Sequence, residues 1–186
     1  MFHVVTGGSG SGKSAYAEEW ICKQRLQTDS RHLYYIATMV PYGKETETKI
    51  SRHRQMRSGK GFETIECFTD LNQMVQTAPE FGEGAQKEGI CVLLECMSNL
   101  AANELYMDTG AKEETEASIL SGIRALQATC RGLAVVTNEV FGELPPHTEE
   151  MKTYLRVLGT VNQEMAKLAD QVTEVVYGIP VEVKKG

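Results

Sequence analysis

The segment Gly7-Gly8-Ser9-Gly10-Ser11-Gly12-Lys13-Ser14 constrains this chain more than any other feature. It matches G-x-x-x-x-G-K-[ST], a loop that works between a strand and a helix. Both neighbours are legible: residues 2–6 are a β-rich run, and a helical pattern extends over about 13–26. The glycines let backbone N–H groups turn inward around phosphate oxygens, where a side chain would clash. The helix that follows offers its free N-terminal donors and positive dipole end to the same anion. Lys13 is then in reach of β- and γ-phosphates, and the Ser14 hydroxyl in reach of Mg²⁺. The loop therefore reads as a site for a purine nucleoside triphosphate.

The rest of the chain fits the architecture this loop demands. Strands are expected at 32–37, 62–67, 90–94 and 133–136, and helices at 45–56, 71–75 and 113–130. Pro79 ends the third helix, and the glycine-bearing stretch 79–89 reads as a surface connection. Thr148 is placed to cap a long helix whose apolar stripe is Met151, Tyr154, Leu155, Leu158, Val161, Met165 and Leu168. Two strands, 172–177 and 179–183, close around Gly178. Alternating strands and helices predict an α/β fold: a P-loop NTPase-type, mainly parallel sheet with helices on both faces. The last two strands are too closely joined for a crossover, so a terminal strand should run antiparallel. With 186 residues, 41% of them hydrophobic and 24% charged, the expectation is one domain spanning 1–186.

Within that fold, ligands belong at the carboxyl ends of the strands. Glu95 follows the apolar run 90–94 and is positioned to hold Mg²⁺ together with Ser14. Asn138 and Glu139 follow the apolar run 133–136 and should face the same crevice.

Charge narrows the partners. A net −6 argues against general nucleic-acid binding, which needs a broad basic surface. Locally the balance reverses: between Lys44 and Lys60 six cations face only Glu45 and Glu47, a net +4. On a helix, Lys49 and Arg57 fall one turn either side of His53. Nearby cations favour the neutral, nucleophilic imidazole, and a histidine so placed can accept a nucleotidyl or phosphoryl group. From spacing alone, a solvated basic helix with an incidental histidine is the better reading. His3 reads as buried, His32 as a strand start and His147 as a loop residue.

The five cysteines, Cys22, Cys67, Cys91, Cys96 and Cys130, show no metal-ligand spacing and read as reduced thiols. No apolar stretch is long enough to cross a bilayer and the start lacks a signal-peptide pattern. A soluble, cytoplasmic protein with no membrane insertion is expected.

Taken together, the motifs resemble the bifunctional adenosylcobinamide kinase/adenosylcobinamide-phosphate guanylyltransferases of cobalamin biosynthesis. The resemblance runs from Val5-Thr6-Gly7-Gly8 and Ser11-Gly12-Lys13-Ser14 through Tyr35-Ile36-Ala37-Thr38 to Lys49-Ile50 with His53 and Arg57. It continues through Thr64-Ile65-Glu66, Leu93-Leu94-Glu95-Cys96, Val136-Thr137-Asn138-Glu139-Val140 and Asn162-Gln163, then Ala169-Asp170-Gln171-Val172 and Gly178-Ile179-Pro180.

The resemblance implies phosphorylation of adenosylcobinamide, then transfer of GMP from GTP through a guanylylated histidine. His53 would be that nucleophile, with Lys13 the other catalytic residue. Nucleotide contacts would fall on Gly7, Gly8, Ser9, Gly10, Ser11, Gly12, Lys13 and Ser14, on Ala37, Thr38 and Met39, on Arg54 and Arg57, and on Glu66 and Glu95. ATP or GTP with Mg²⁺ and a homotrimer are implied as well. The chain departs from the family pattern at Gly10, where Arg is usual, at Phe62, where Trp is usual, and across residues 141–145, 155–156 and Thr160. A guanylyltransferase acting alone or on another acceptor, and a non-catalytic nucleotide-binding regulator, are the alternatives.

Overall fold

The computed structural model describes residues 1–41, 51, 55, 57–140, 142 and 148–186. Among the described residues seven strands, β1 (Phe2–Thr6), β2 (His32–Ala37), β3 (Glu63–Glu66), β4 (Ile90–Glu95), β5 (Gly132–Val136), β6 (Gln171–Val176) and β7 (Ile179–Lys184), form one sheet in the order β3-β2-β4-β5-β1-β6-β7. All neighbouring pairs are parallel except β6 and β7, which run antiparallel as expected. The helices whose bounds lie among the described residues are α1 (Lys13–Gln27), α2 (Leu71–Thr77), α3 (Glu83–Glu88), α4 (Met97–Tyr106), α5 (Thr115–Thr129) and α6 (Glu149–Leu168).

Because successive side chains on a strand point to opposite faces, the sheet builds two cores. Tyr34 and Ile36 of β2, with Ile90, Val92 and Leu94 of β4, join Leu71 of α2, Leu100 of α4, Ile119 and Ile123 of α5, and Leu158 and Val161 of α6. Leu33, Tyr35, Cys91 and Leu93 face the other way and meet Ala17 and Ile21 of α1. Near-continuous apolar runs in β4 and β5 follow from burial on both faces.

Parallel pairing puts the carboxyl ends of the strands in one row. Glu66 pairs with Ala37, Ala37 with Glu95, Glu95 with Val136, and Val136 with Val5. The Gly7–Ser14 loop leaves β1 at the end of that row. Here two glycines are required. A Cβ on Gly7 would sit 2.5 Å from the Val175 carbonyl oxygen. Gly12 adopts φ 94 just before α1, with Gly178 Cα 3.4 Å from where its Cβ would be.

Gly178 belongs to the two-residue turn Tyr177-Gly178, whose φ values of 51 and 80 suit a tight hairpin. Its N–H donates to the Ser11 carbonyl at 2.8 Å, so the β6–β7 hairpin braces the loop from the side.

Three expectations need correcting, and one helix was not foreseen. Stretch 79–89 is not a bare connection: it holds a 3₁₀ turn at Pro79–Phe81 and helix α3, and Phe81 is buried. Helix α4 went unread, because it follows β4 directly without a polar N-cap or a charged face. In α6 the Thr148 hydroxyl does accept from Met151 N at 3.1 Å, but Met151 itself is exposed and Val157 takes its place in the core. The helix expected at 113–130 is a 3₁₀ turn, Lys112–Glu114, followed by α5. Of the helix expected at 45–56, only Ser51 and Gln55 lie among the described residues, and both are helical, as is Arg57 just beyond it.

Candidate functional site

The site is assembled where α1 begins. Lys13 is buried at 8% exposure and its ammonium donates to the Gly8 carbonyl at 3.0 Å. Burial lowers its pKa, opposed by the nearby Cys96 and Glu95, and the side chain folds over the loop it follows. Ser14, one residue on, donates its hydroxyl to Oε1 of Glu95. The carboxylate at the end of β4 and the loop after β1 are thus in direct contact, although β5 lies between their strands.

The second oxygen of Glu95 is also held. Tyr35, buried on the α1 face of β2, donates its hydroxyl to Oε2 at 3.2 Å. Over the Tyr35 ring lies the Arg57 guanidinium, 3.4 Å from the ring centroid, a cation–π stack in a desolvated setting. Phe62 meets the same ring edge-on at 6.2 Å. Arg57, Ser58, Gly59, Gly61, Phe62 and Thr64 line a cavity of about 450 Å³ beside this stack. Arg57 and Glu95 are therefore two ends of one contact chain through Tyr35.

Beside Glu95 the strand ends are locked by hydrogen bonds. Thr38 is fully buried: its hydroxyl accepts from Cys96 N and donates to the Cys96 carbonyl, each at 2.8 Å. Asn103 of α4 donates to the Thr38 carbonyl at 2.8 Å. Ala37 and Met39 flank it, half-buried. The Cys96 thiol lies 3.0 Å from the Ser98 hydroxyl, and burial raises its pKa, so it remains a neutral packing group. Asn138 donates to Ser98 at 2.7 Å, and Glu139 N donates to the Gly7 carbonyl at 3.1 Å. Asn138 thus ties the end of β5 to α4, and the Glu139 backbone ties it to the phosphate loop.

Mg²⁺ suits what is present. Mg²⁺ takes hard oxygen donors, usually one or two from protein with the rest from water and phosphate. Ser14 and Glu95 supply that pair in contact, and among the described residues no cluster of three or more His, Cys, Asp or Glu competes for a metal.

Of the residues expected at the site, Gly7, Gly8, Ser9, Gly10, Ser11, Gly12, Lys13 and Ser14 form the loop, with Ala37, Glu66 and Glu95 in the row beside it. Arg57 joins through Tyr35. His53 and Arg54 lie outside the described residues. His3 is buried against Trp20 and Tyr16, with Nε2 2.9 Å from the Thr173 hydroxyl, and burial lowers its pKa to about 4. His32 pairs with Glu88 at 2.9 Å, far along β2 from the strand ends. Neither serves the crevice. Tyr35, Ser98 and Asn103 were not anticipated; β alternation in Tyr34-Tyr35 was the available signal that one of the two faces α1.

The family model of "Cobinamide kinase / cobinamide phosphate guanyltransferase" matches residues 3–183. The chain belongs to this family. Among its relatives, the "Bifunctional adenosylcobalamin biosynthesis protein CobU" of Escherichia coli is 32% identical, aligned over 99% of this chain and 100% of the relative. The protein of the same name from Salmonella typhimurium is 31% identical over the same shares. The "Bifunctional adenosylcobalamin biosynthesis protein CobP" of Pseudomonas aeruginosa is 26% identical over 99% of this chain and 98% of the relative. As a cobinamide kinase/guanyltransferase family member, the chain is a nucleotide-using transferase.

Solved structures agree on the fold alone. The flagellar accessory protein FlaH from Methanocaldococcus jannaschii has a TM-score of 0.50 at 13% identity, covering 100% of this chain and 78% of that one. A second solved structure, an ATPase domain, also has a TM-score of 0.50, at 11% identity, covering 93% of this chain and 68% of that one. Among the described residues no helix is long and apolar enough to cross a membrane.

Proposed function

We propose that this chain phosphorylates the aminopropanol hydroxyl of adenosylcobinamide and then transfers GMP from GTP to the product through a guanylylated His53. The observation that carries the reading is the contact chain Ser14–Glu95–Tyr35–Arg57. It joins the phosphate loop to the cationic stretch in which His53 lies four residues before Arg57.

In the kinase step the loop N–H groups and Lys13 hold the β- and γ-phosphates while the substrate hydroxyl attacks the γ-phosphorus. The bond to the departing nucleoside diphosphate breaks, and the hydroxyl proton leaves to solvent. Mg²⁺, held by Ser14 and Glu95, would neutralise charge on the phosphate oxygens. In the guanylyl step a neutral His53 nitrogen attacks the α-phosphorus of GTP and the bond to pyrophosphate breaks. A phosphate oxygen of the phosphorylated corrinoid then attacks the same phosphorus, the P–N bond breaks, and His53 regains its neutral form. Arg54, Arg57 and Glu66, with Ala37, Thr38 and Met39, complete the nucleotide contacts in this reading. In this reading the second nucleotide or the corrinoid tail would occupy the cavity beside Arg57.

Residues 1–186 act as one unit in this account, working in the cytoplasm as a homotrimer. Ile179, Val181 and Val183, exposed along β7, offer apolar surface to such an assembly.

The test supplies adenosylcobinamide, Mg²⁺ and either ATP or GTP, and follows corrinoids by chromatography with mass spectrometry. Phosphorylated and then guanylylated cobinamide are expected in order. Guanylylation of supplied cobinamide phosphate without phosphorylation of cobinamide would reduce the assignment to a guanylyltransferase. Nucleotide binding with no corrinoid product would leave a regulator.

A further inference from the structure

Tyr35 has no role in the steps above, yet it touches both halves of the site. Its hydroxyl helps fix Glu95: Ser14 of α1 holds Oε1, and Tyr35 of β2 holds Oε2 at 3.2 Å. A carboxylate gripped at both oxygens by different elements has one orientation. The Tyr35 ring meanwhile seats Arg57, which is only 7% exposed and whose Nη1 has no hydrogen-bond partner among the described residues. Burying a guanidinium is costly unless charge, ring face or hydrogen bonds offset it. The aromatic face at 3.4 Å is the compensation in view.

Packing alone does not account for a tyrosine here. Phenylalanine would cover the same α1-facing surface and meet Phe62 equally well, without burying a hydroxyl. Among the described residues the hydroxyl is accounted for by its bond to Glu95.

We infer that Tyr35 is a positioning residue for the nucleotide site, orienting Glu95 through its hydroxyl and Arg57 through its ring. The inference deepens the proposed function and rests on Glu95 as a metal-holding residue. Groups that orient a metal ligand typically contribute 10–100-fold in metal affinity. The two parts of Tyr35 are separable: Tyr35→Phe removes the hydroxyl and keeps the ring, whereas Tyr35→Leu removes both.

The test measures Mn²⁺ binding to the protein–GTP complex by electron paramagnetic resonance, GTP binding in EDTA, and thermal unfolding. For Tyr35→Phe, Mn²⁺ affinity should fall roughly 10–100-fold, with metal-free GTP binding and melting near wild type. Tyr35→Leu should also weaken metal-free GTP binding, to the same extent as Arg57→Ala. Glu95→Gln should lower Mn²⁺ affinity on its own, and adding Tyr35→Phe to it should cost little more, because the hydroxyl acts through that carboxylate. Wild-type Mn²⁺ affinity in Tyr35→Phe, or full additivity with Glu95→Gln, would overturn the inference while leaving Glu95 as a ligand. Wild-type Mn²⁺ affinity in Glu95→Gln would instead remove the metal assignment and the inference together.

Discussion

The two faces of the sheet are built from the same strands and differ in what they bury. Tyr34 and Tyr35 are adjacent in β2, yet Tyr34 packs on Phe81 in an apolar core closed by α2, α4, α5 and α6, whereas Tyr35 sits between Arg57 and Glu95. The α1 face also buries Lys13, Glu18, His3 and Thr173. Glu18 is fully buried on α1 and pairs with Lys60 at 2.5 Å. The four-helix face is mainly hydrocarbon, with Glu104 of α4 and Thr115 of α5 buried beside it, whereas charges and hydroxyls on the α1 face lead to the phosphate loop. The difference teaches a division of labour. Apolar burial on the four-helix side supplies most of the stability, and that surplus permits polar groups on the α1 side whose own burial is unfavourable.

Substitutions on each face should therefore separate activity from stability. The largest effect is expected for Lys13→Ala. Nucleotide-dependent turnover should fall by roughly 10³-fold, as when a phosphate-holding charge is removed, with the melting temperature near wild type. A steady-state assay beside a thermal melt checks both halves.

On the opposite face Ile123→Ala should show the reverse. Ile123 is fully buried on α5. Its truncation should cost about 2–5 kcal/mol in denaturant unfolding, with GTP affinity under native conditions unchanged. Lost GTP affinity in that variant would break the division.

His3 is where the α1 face should reveal its cost to folding. Burial sets its folded pKa at about 4, below the ordinary value of 6.5. As pH falls, the unfolded chain takes up this proton first. The contribution is thus complete above pH 6.5 and is lost progressively between 6.5 and 4, about 3 kcal/mol in all. Urea midpoints across that range should fall in wild type and flatten in His3→Gln.

Smallest is Thr148→Ala. Loss of its bond to Met151 N at the start of α6 should cost about 1 kcal/mol with no effect on the site.

Sequence alone made the loop legible because a phosphate cradle needs glycine, lysine and serine at set spacing, which the eight residues Gly7 to Ser14 spell out. Glu95 was legible for a related reason: a carboxylate ending a doubly buried strand has one destination, the crevice. Tyr35 was not. Its role depends on pairing with β4 across the sheet and on Arg57 arriving from a segment 22 residues later, and neither is local. Helix α4 was missed because only Glu95 and Cys96 separate the apolar β4 run from Met97, Leu100, Ala101 and Leu105 at helical spacing, with no polar capping residue to mark the start. The short turns in 79–89 were hidden because glycine and proline there signal a connection and conceal Phe81, which anchors it in the core.

The central claim is that the phosphate loop and the cationic segment after it serve one covalent reaction. The most direct measurement incubates the protein with Mg²⁺ and GTP radiolabelled on the α-phosphate, then tests the denatured protein for label. The account predicts acid-labile, base-stable label, the behaviour of a phosphoramidate, that is lost in both His53→Ala and Lys13→Ala and never acquired from γ-labelled GTP. Unlabelled wild-type protein, or label that persists in His53→Ala, would contradict it.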